Sequence, residues 1–265
     1  MTVRSEGGGR RSVSTEVEVN AGPIAAWAAV ATGPGISSWF VPTDLEPRVG
    51  GKAVSHFSPD GSMDSVATIA SWDPPRSFVA QTEEAQGTID TEWRVDPLPE
   101  GRSRVSVTHR WTSPDDSGDA QFEAYAQGWV AFFRVLEQYL AHYAGQPSAA
   151  FQVIGAADEP VEHAWALFAG PLCLFGAEQD DAVGTPGDDP PLSGTLVHAG
   201  STDAPGYLIR LDAPAPGLAQ LAAHAMGDKV YLTARFFLFG DGAQGIADAA
   251  RVAWEAWMAE RFAAD

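Results

Sequence analysis

The sequence predicts an α+β chain of two successive units, each a run of short antiparallel strands closed by a long C-terminal helix. Three observations carry this. Between about Gly50 and Thr112, strand-length segments are separated by Gly, Pro and Asp turn signals at short intervals, the mark of an antiparallel meander. After "SPDDSGD" the apolar period changes: Tyr125, Trp129, Phe132, Phe133, Leu136, Tyr139, Leu140 and Tyr143 recur every three or four positions, one broad aromatic face of a helix. Beyond "GQPSA" at Gly145 the same order of elements returns.

In the first unit, Val13, Thr15, Val17 and Val19 alternate with Ser14, Glu16 and Glu18, which reads as a half-buried strand. Residues 1–12, rich in glycine and arginine, are expected to form a flexible tail, and the unit to run over 13–145. "NAGP" stops the strand, and Pro23 suits the first turn of a helix that carries Ile24, Trp27, Ala28 and Val30. Gly33-Pro34-Gly35 breaks that pattern, and a short apolar segment, "ISSWF", follows. "GGKAVSHF", "SVATIASW", "SFVAQTEE", "TIDTEWRVD" and "RVSVTHRW" are the strands of the meander.

The second unit, placed at 150–265, opens on "FQVIGAADEPVEHAWALF", where Pro160 and Trp165 answer Pro23 and Trp27. A long breaker, "EQDDAVGTPGDDPPLSG", precedes the strands "TLVHAG", "YLIRLDAP", "LAQLAAHAM" and "KVYLTARFFLF", with "MGDK" a hairpin turn. A helix from about Ala243 to Phe262 ends the chain.

Composition narrows the function. Of 265 residues, 45% are apolar, enough to build real cores. The formal charge of −19, from 35 acidic and 16 basic residues, repels phosphates, which argues against nucleic acid and membrane surfaces as partners. The N-terminus has no apolar signal-peptide core, and no stretch approaches the ~20 apolar residues of a membrane helix, so a cytoplasmic location is expected. The single cysteine, Cys173 in "GPLCLFG", excludes an intramolecular disulfide and is read as a buried structural thiol.

One motif needs weighing. Gly240-Asp241-Gly242-Ala243-Gln244-Gly245 is a literal G-x-G-x-x-G between an apolar strand and a helix. A dinucleotide fold requires a parallel second strand after that helix, and only about twenty residues remain. The motif is therefore read as a strand-to-helix turn, and no cofactor is expected. No G-x-S-x-G or H-E-x-x-H occurs, and the histidines lack ligand spacing, so no metal is expected. His56 and His109 lie in strands that also carry Trp93 and Trp111. Inward-facing, they would place polar groups in an aromatic cavity. Asp90, Glu92 and Arg110 are further acid-base candidates.

"PIAAW" at Pro23–Trp27, "WFVP" at Trp39–Pro42, "VGGK" at Val49–Lys52, "ASWDPPRSF" at Ala70–Phe78 and "GWVAFFRVLEQYL" at Gly128–Leu140 come in an order that resembles the SRPBCC (START-like) superfamily. Its nearest branch is the Hsp-90 ATPase activator homologue, C-terminal-domain-like group, widespread in bacteria. The resemblance covers about residues 13–145. It implies a helix-grip (START/Bet-v-like) fold, a curved antiparallel sheet around a long C-terminal helix with a cavity between them. The second half lacks counterparts of "WFVP", "VGG" and "DPP" and is expected to be a degenerate second copy.

Three functions stay open. The first is non-catalytic binding of a small hydrophobic or aromatic ligand by Trp39, Phe40, His56, Trp93, His109, Trp111, Tyr125, Trp129, Phe132 and Phe133. The second is a cyclase or hydrolase on an aromatic or polyketide-like substrate, with His56, His109 or Glu92 as acid or base; it requires those groups to converge. The third is a chaperone-type module with a protein partner.

Overall fold

A computed structural model of the chain describes residues 3–58, 61–84, 87–113, 119–188, 190–202 and 204–262. The chain divides into two compact units, Met1–Gly145 and Gln146–Asp265.

The first unit contains strands β1 (Arg4–Gly7), β2 (Arg10–Val19), β3 (Thr43–Leu45), β4 (Lys52–His56), β5 (Asp64–Asp73), β6 (Ser77–Glu84), β7 (Gly87–Pro97) and β8 (Ser103–Thr112). Helices α1 (Pro23–Val30) and α2 (Gly33–Ser37) lie between β2 and β3, and α3 (Asp119–His142) closes the unit. The strands form one sheet in the order β1-β2-β8-β7-β6-β5-β4-β3. Every pairing in it is antiparallel.

Strand β8 shows why one face of this sheet is the core. Ser103, Val105, Val107, His109 and Trp111 are buried, and the residues between them are not. A strand of period two puts one set on each face. The register extends the inner face to Thr91 opposite His109, to Trp93 opposite Val107, and to Phe78 opposite Trp93.

Helix α3 lies against this inner face. Thr15 Oγ1 donates to the Ala126 carbonyl at 2.9 Å. Asp119, in the first turn of α3, pairs with Arg11 of β2. The backbone N–H of Val3 donates to Glu123 at 3.2 Å. The residues expected to be a tail are thus different here: Arg4–Gly7 pairs with Arg10–Val19 and carries the sheet past Val13.

The expected break at Gly33-Pro34-Gly35 is the short helix α2, capped by Thr32 Oγ1, which accepts from the Gly35 N–H at 3.0 Å. Gly35 has a steric role, because a Cβ there would stand 2.0 Å from the Ala28 carbonyl oxygen. This close approach presses α2 onto α1 and delivers Trp39, whose indole N–H donates to the Ala29 carbonyl at 2.9 Å, into the core.

The second unit contains β9 (Ser148–Ala157), α4 (Val161–Ala169), β10 (Ala182–Gly184), β11 (Ser193–Ser201), β12 (Ala204–Ala213), β13 (Gly217–Met226), β14 (Lys229–Phe239) and α5 (Ala243–Arg261). Its sheet order is β10-β11-β12-β13-β14-β9, again antiparallel throughout. Both units wind the same way. The strand before the first helix pairs with the last strand, as β2 does with β8 and β9 with β14, and the meander runs outward from there.

Two expectations in this unit need amending. The long breaker contains a short edge strand, β10, paired with β11. Cys173 is exposed, not buried. It takes φ +56° in a turn whose neighbours Leu172 and Leu174 fill the core, so its own side chain is left outside. The G-x-G-x-x-G segment follows the antiparallel strand β14, with Gly240 at φ +102° and Gly242 at φ +85° ahead of α5. Those angles are what a tight strand-to-helix reversal asks of glycine.

Candidate ligand site

The first unit gathers its aromatic residues between the inner face and α3. Phe40, from the segment after α2, stacks on Trp129 of α3 at 4.9 Å between ring centroids and meets Phe132 edge-on at 4.5 Å. Trp129 meets Trp93 of β7 edge-on at 5.0 Å. Trp39 lies 6.1 Å from Trp93 and 6.2 Å from Phe133. Such offset and edge-on pairs each add about 0.5–1.5 kcal/mol beyond their buried area. Six of the expected site residues, Trp39, Phe40, Trp93, Trp129, Phe132 and Phe133, therefore form one cluster. Two further members escaped the sequence reading. Phe57, just past β4, meets Phe40 at 5.7 Å, and Phe78 of β6 stacks on Trp93 at 6.4 Å. Alternation along β4 and β6 was the available signal, but it needed the facing of a neighbouring strand.

The cluster is graded in depth. Trp39 and Phe133 are sealed in the core, while Trp93, Trp129 and Phe132 are half-buried and Phe57 is exposed. Beside Trp129, Gly128 of α3 faces open space: a Cβ there meets no atom within 4 Å. The second unit keeps its core rings away from solvent. Phe236 and Trp254 are 0% exposed, and Gly155 of β9 lies so close to α5 that a Cβ would sit 2.6 Å from Phe262.

One polar group stands in the aromatic wall. The buried His109 accepts from the Trp129 indole N–H through Nε2 at 2.8 Å, and its Nδ1 lies 3.0 Å from Thr91 Oγ1. An indole N–H only donates, so Nε2 carries no proton and Nδ1 does. Burial disfavours the imidazolium and pushes the pKa of His109 down to about 4. At neutral pH this is an uncharged, two-way hydrogen-bonded ring.

The other expected site residues lie elsewhere. His56 is not in the cluster. Ser55 and Phe57 face inward, so alternation turns His56 outward, where it meets Asp64 at 3.0 Å and Asp44 at 3.3 Å. Those carboxylates, Asp64 before Asp44, raise its pKa. Glu92 neighbours Thr91 and Trp93 and therefore takes the face opposite His109, where it pairs with Arg110 at 2.8 Å. Asp90 shares that outer face and accepts from Gln81 at 2.7 Å. The convergence that acid-base catalysis by His56, His109 and Glu92 requires is absent. Trp111 is on the inner face, but in a separate small cluster, stacked on Phe122 at 3.6 Å. The side chain of Tyr125 lies outside the described residues. Among the described residues no group of three His, Cys, Asp or Glu is placed to hold a metal ion. No described helix is long and apolar enough to cross a membrane.

An antiparallel sheet whose last strand pairs with the strand before the first helix, with a long C-terminal helix against one face and aromatic side chains between, defines a helix-grip protein. Residues 10–133, in the first unit, match the family model described as polyketide cyclase / dehydrase and lipid transport, which supports the SRPBCC (START-like) assignment of that unit. No curated protein matches. Similar solved structures include CalU16 from Micromonospora echinospora, 18% identical over 53% of this chain and 83% of that one, TM-score 0.42. The Aha1 dimer from Colwellia psychrerythraea is 16% identical over 49% and 95%, TM-score 0.40. DynU16, a putative protein in the dynemicin biosynthetic locus, is 14% identical over 94% and 95%, TM-score 0.43.

Proposed function

We propose that the first unit binds a small hydrophobic or aromatic molecule between its sheet and α3, and does so without chemistry. The observation that carries this reading is the half-buried state of Trp93, Trp129 and Phe132 beside the sealed Trp39 and Phe133. Large apolar rings left part-exposed beside an open helix position favour a guest that completes their burial. The second unit, whose core rings Phe236 and Trp254 are sealed, is not read as a second site.

A cyclase reading draws support from the description of the matching family. Among the described residues of this site it has one titratable group, His109, whose lone pair is already engaged by Trp129. Binding is therefore the better supported reading.

The test is titration of the intrinsic tryptophan fluorescence with fluorene, a planar apolar tricycle, alongside thermal melting. Quenching that saturates, with a raised melting temperature and both effects lost in Trp129→Ala, supports the proposal. No saturable quench and no thermal shift, with fluorene or with 9-fluorenone, would overturn it.

A further inference from the structure

His56 stands where three strands meet. It is the last residue of β4, and its partner across the hairpin is Asp64, the first residue of β5. Its Nδ1 lies 3.0 Å from both carboxylate oxygens of Asp64, and its Nε2 lies 3.3 Å from Asp44 of β3. A carboxylate only accepts, and a neutral imidazole carries one N–H, so only the imidazolium donates to both partners at once. The two carboxylates, Asp64 before Asp44, raise the pKa of the ring above its ordinary 6.5. Among the described residues, the charged groups around it on this outer face are Asp44 from β3, Asp64 from β5 and, at the other end of its own strand, Lys52.

This junction backs onto the exposed side of the aromatic cluster. Phe57 follows His56 directly and meets Phe40 edge-on at 5.7 Å, and Phe40 stacks on Trp129. The backbone N–H of His56 donates at 2.9 Å to the carbonyl of Pro42, just past Phe40. Strand β3 is three residues long, lies at the sheet edge and pairs with β4 alone. When the ring loses a proton, one of its nitrogens turns a lone pair toward a carboxylate. Asp44, whose side chain is 88% exposed, then has water as the better partner.

We infer that His56 is a pH-sensitive latch on the ligand site: as an imidazolium it ties β3 and β5 to the end of β4 and holds Phe57 against Phe40, and on losing its proton it frees that corner and weakens binding of the guest. The inference rests on the ligand-binding reading above and adds a regulation to it. Because the folded-state pKa is raised, the latch is closed below pH 6.5 and opens as pH climbs through the raised value. His109, the polar group inside the site, is neutral throughout that window and does not contribute to the change. Solvent-accessible ion pairs are weak, so the expected effect on affinity is about threefold.

The experiment follows fluorene binding by tryptophan fluorescence between about pH 6 and pH 9, beside NMR titration of the His56 ring. The native chain should lose about threefold in affinity with the midpoint at which His56 titrates. His56→Gln, which has no proton to lose in this range, should bind with a flat profile. Asp44→Asn, a change at an exposed side chain, should move both midpoints to lower pH. Without any guest, the protection of the His56 amide against hydrogen exchange, corrected for the intrinsic rate, should fall at that same midpoint. Fluorene affinity constant across the range, a native profile retained in His56→Gln, or an amide protection indifferent to pH would overturn the latch while the site itself stands. Failure of fluorene to bind at any pH would sink the site and the latch together.

Discussion

The indole N–H of Trp129 donates to Nε2 of His109 across 2.8 Å, and the two rings lie nearly parallel with centroids 6.3 Å apart. This bond joins α3 to β8 at the centre of the aromatic cluster. It also fixes the proton of His109 on Nδ1, beside Thr91.

Trp129→Phe keeps an aromatic ring on α3 but removes this donor. The lost hydrogen bond and packing should lower unfolding free energy by about 1–3 kcal/mol. The lone pair of Nε2 then competes better for a proton, so His109 should titrate at higher pH than in the native chain. Urea unfolding and histidine NMR titration measure the two effects. Unchanged stability with an unmoved titration would show that the bond does not hold in solution.

The pH dependence of stability follows from the same ring. His109 is held down to about 4 in the folded chain, below its ordinary 6.5, so the unfolded chain binds the extra proton between those values. Its contribution is complete above pH 6.5 and is lost as pH falls toward 4, amounting to ~3 kcal/mol. His56 has the opposite sign. Its raised pKa adds stability below pH 6.5 that fades as pH climbs through the raised value, and solvent screening at this accessible site keeps it small. Melting temperature against pH should fall on the acid side in the native chain, and less steeply in His109→Gln. An acid limb of identical slope in the variant would exclude His109 as its source.

Two glycines should respond in opposite directions to alanine. Gly155→Ala drives a methyl toward Met258 Sδ, 2.7 Å away, and toward Phe262, and should destabilise by about 1–3 kcal/mol. Gly128→Ala puts a methyl into open space in the middle of α3 and should stabilise by about 1 kcal/mol through helix propensity. Denaturant midpoints compare them. A stabilised Gly155→Ala would mean that α5 and β9 are not in close contact.

An outward-facing residue can be mistaken for a site residue when only its strand is known. His56 and His109 look alike in the sequence, each a histidine near aromatic residues in a strand. Alternation within a strand is local, but which of its two faces meets the core depends on register with partners. For His109 those partners are Val13 and Thr91, and for His56 the partner is Asp64. Strand pairings, not the strands alone, decided that one histidine is buried at 8% exposure and the other is outside, tied to two carboxylates. His109 and Trp111, two residues apart on β8, were separated by which turn of α3 each one meets, Trp129 for the first and Phe122 for the second.

By itself the sequence determined the order of the elements, the doubling of the pattern and the aromatic stripe on α3, because periodicity and turn chemistry act over a few residues. Only the tertiary structure decided which face of each strand is the core, that Arg4–Gly7 joins the sheet, and that the rings are sealed in the second unit but half open in the first. Those outcomes depend on side chains distant in sequence competing for the same volume, which no local pattern records.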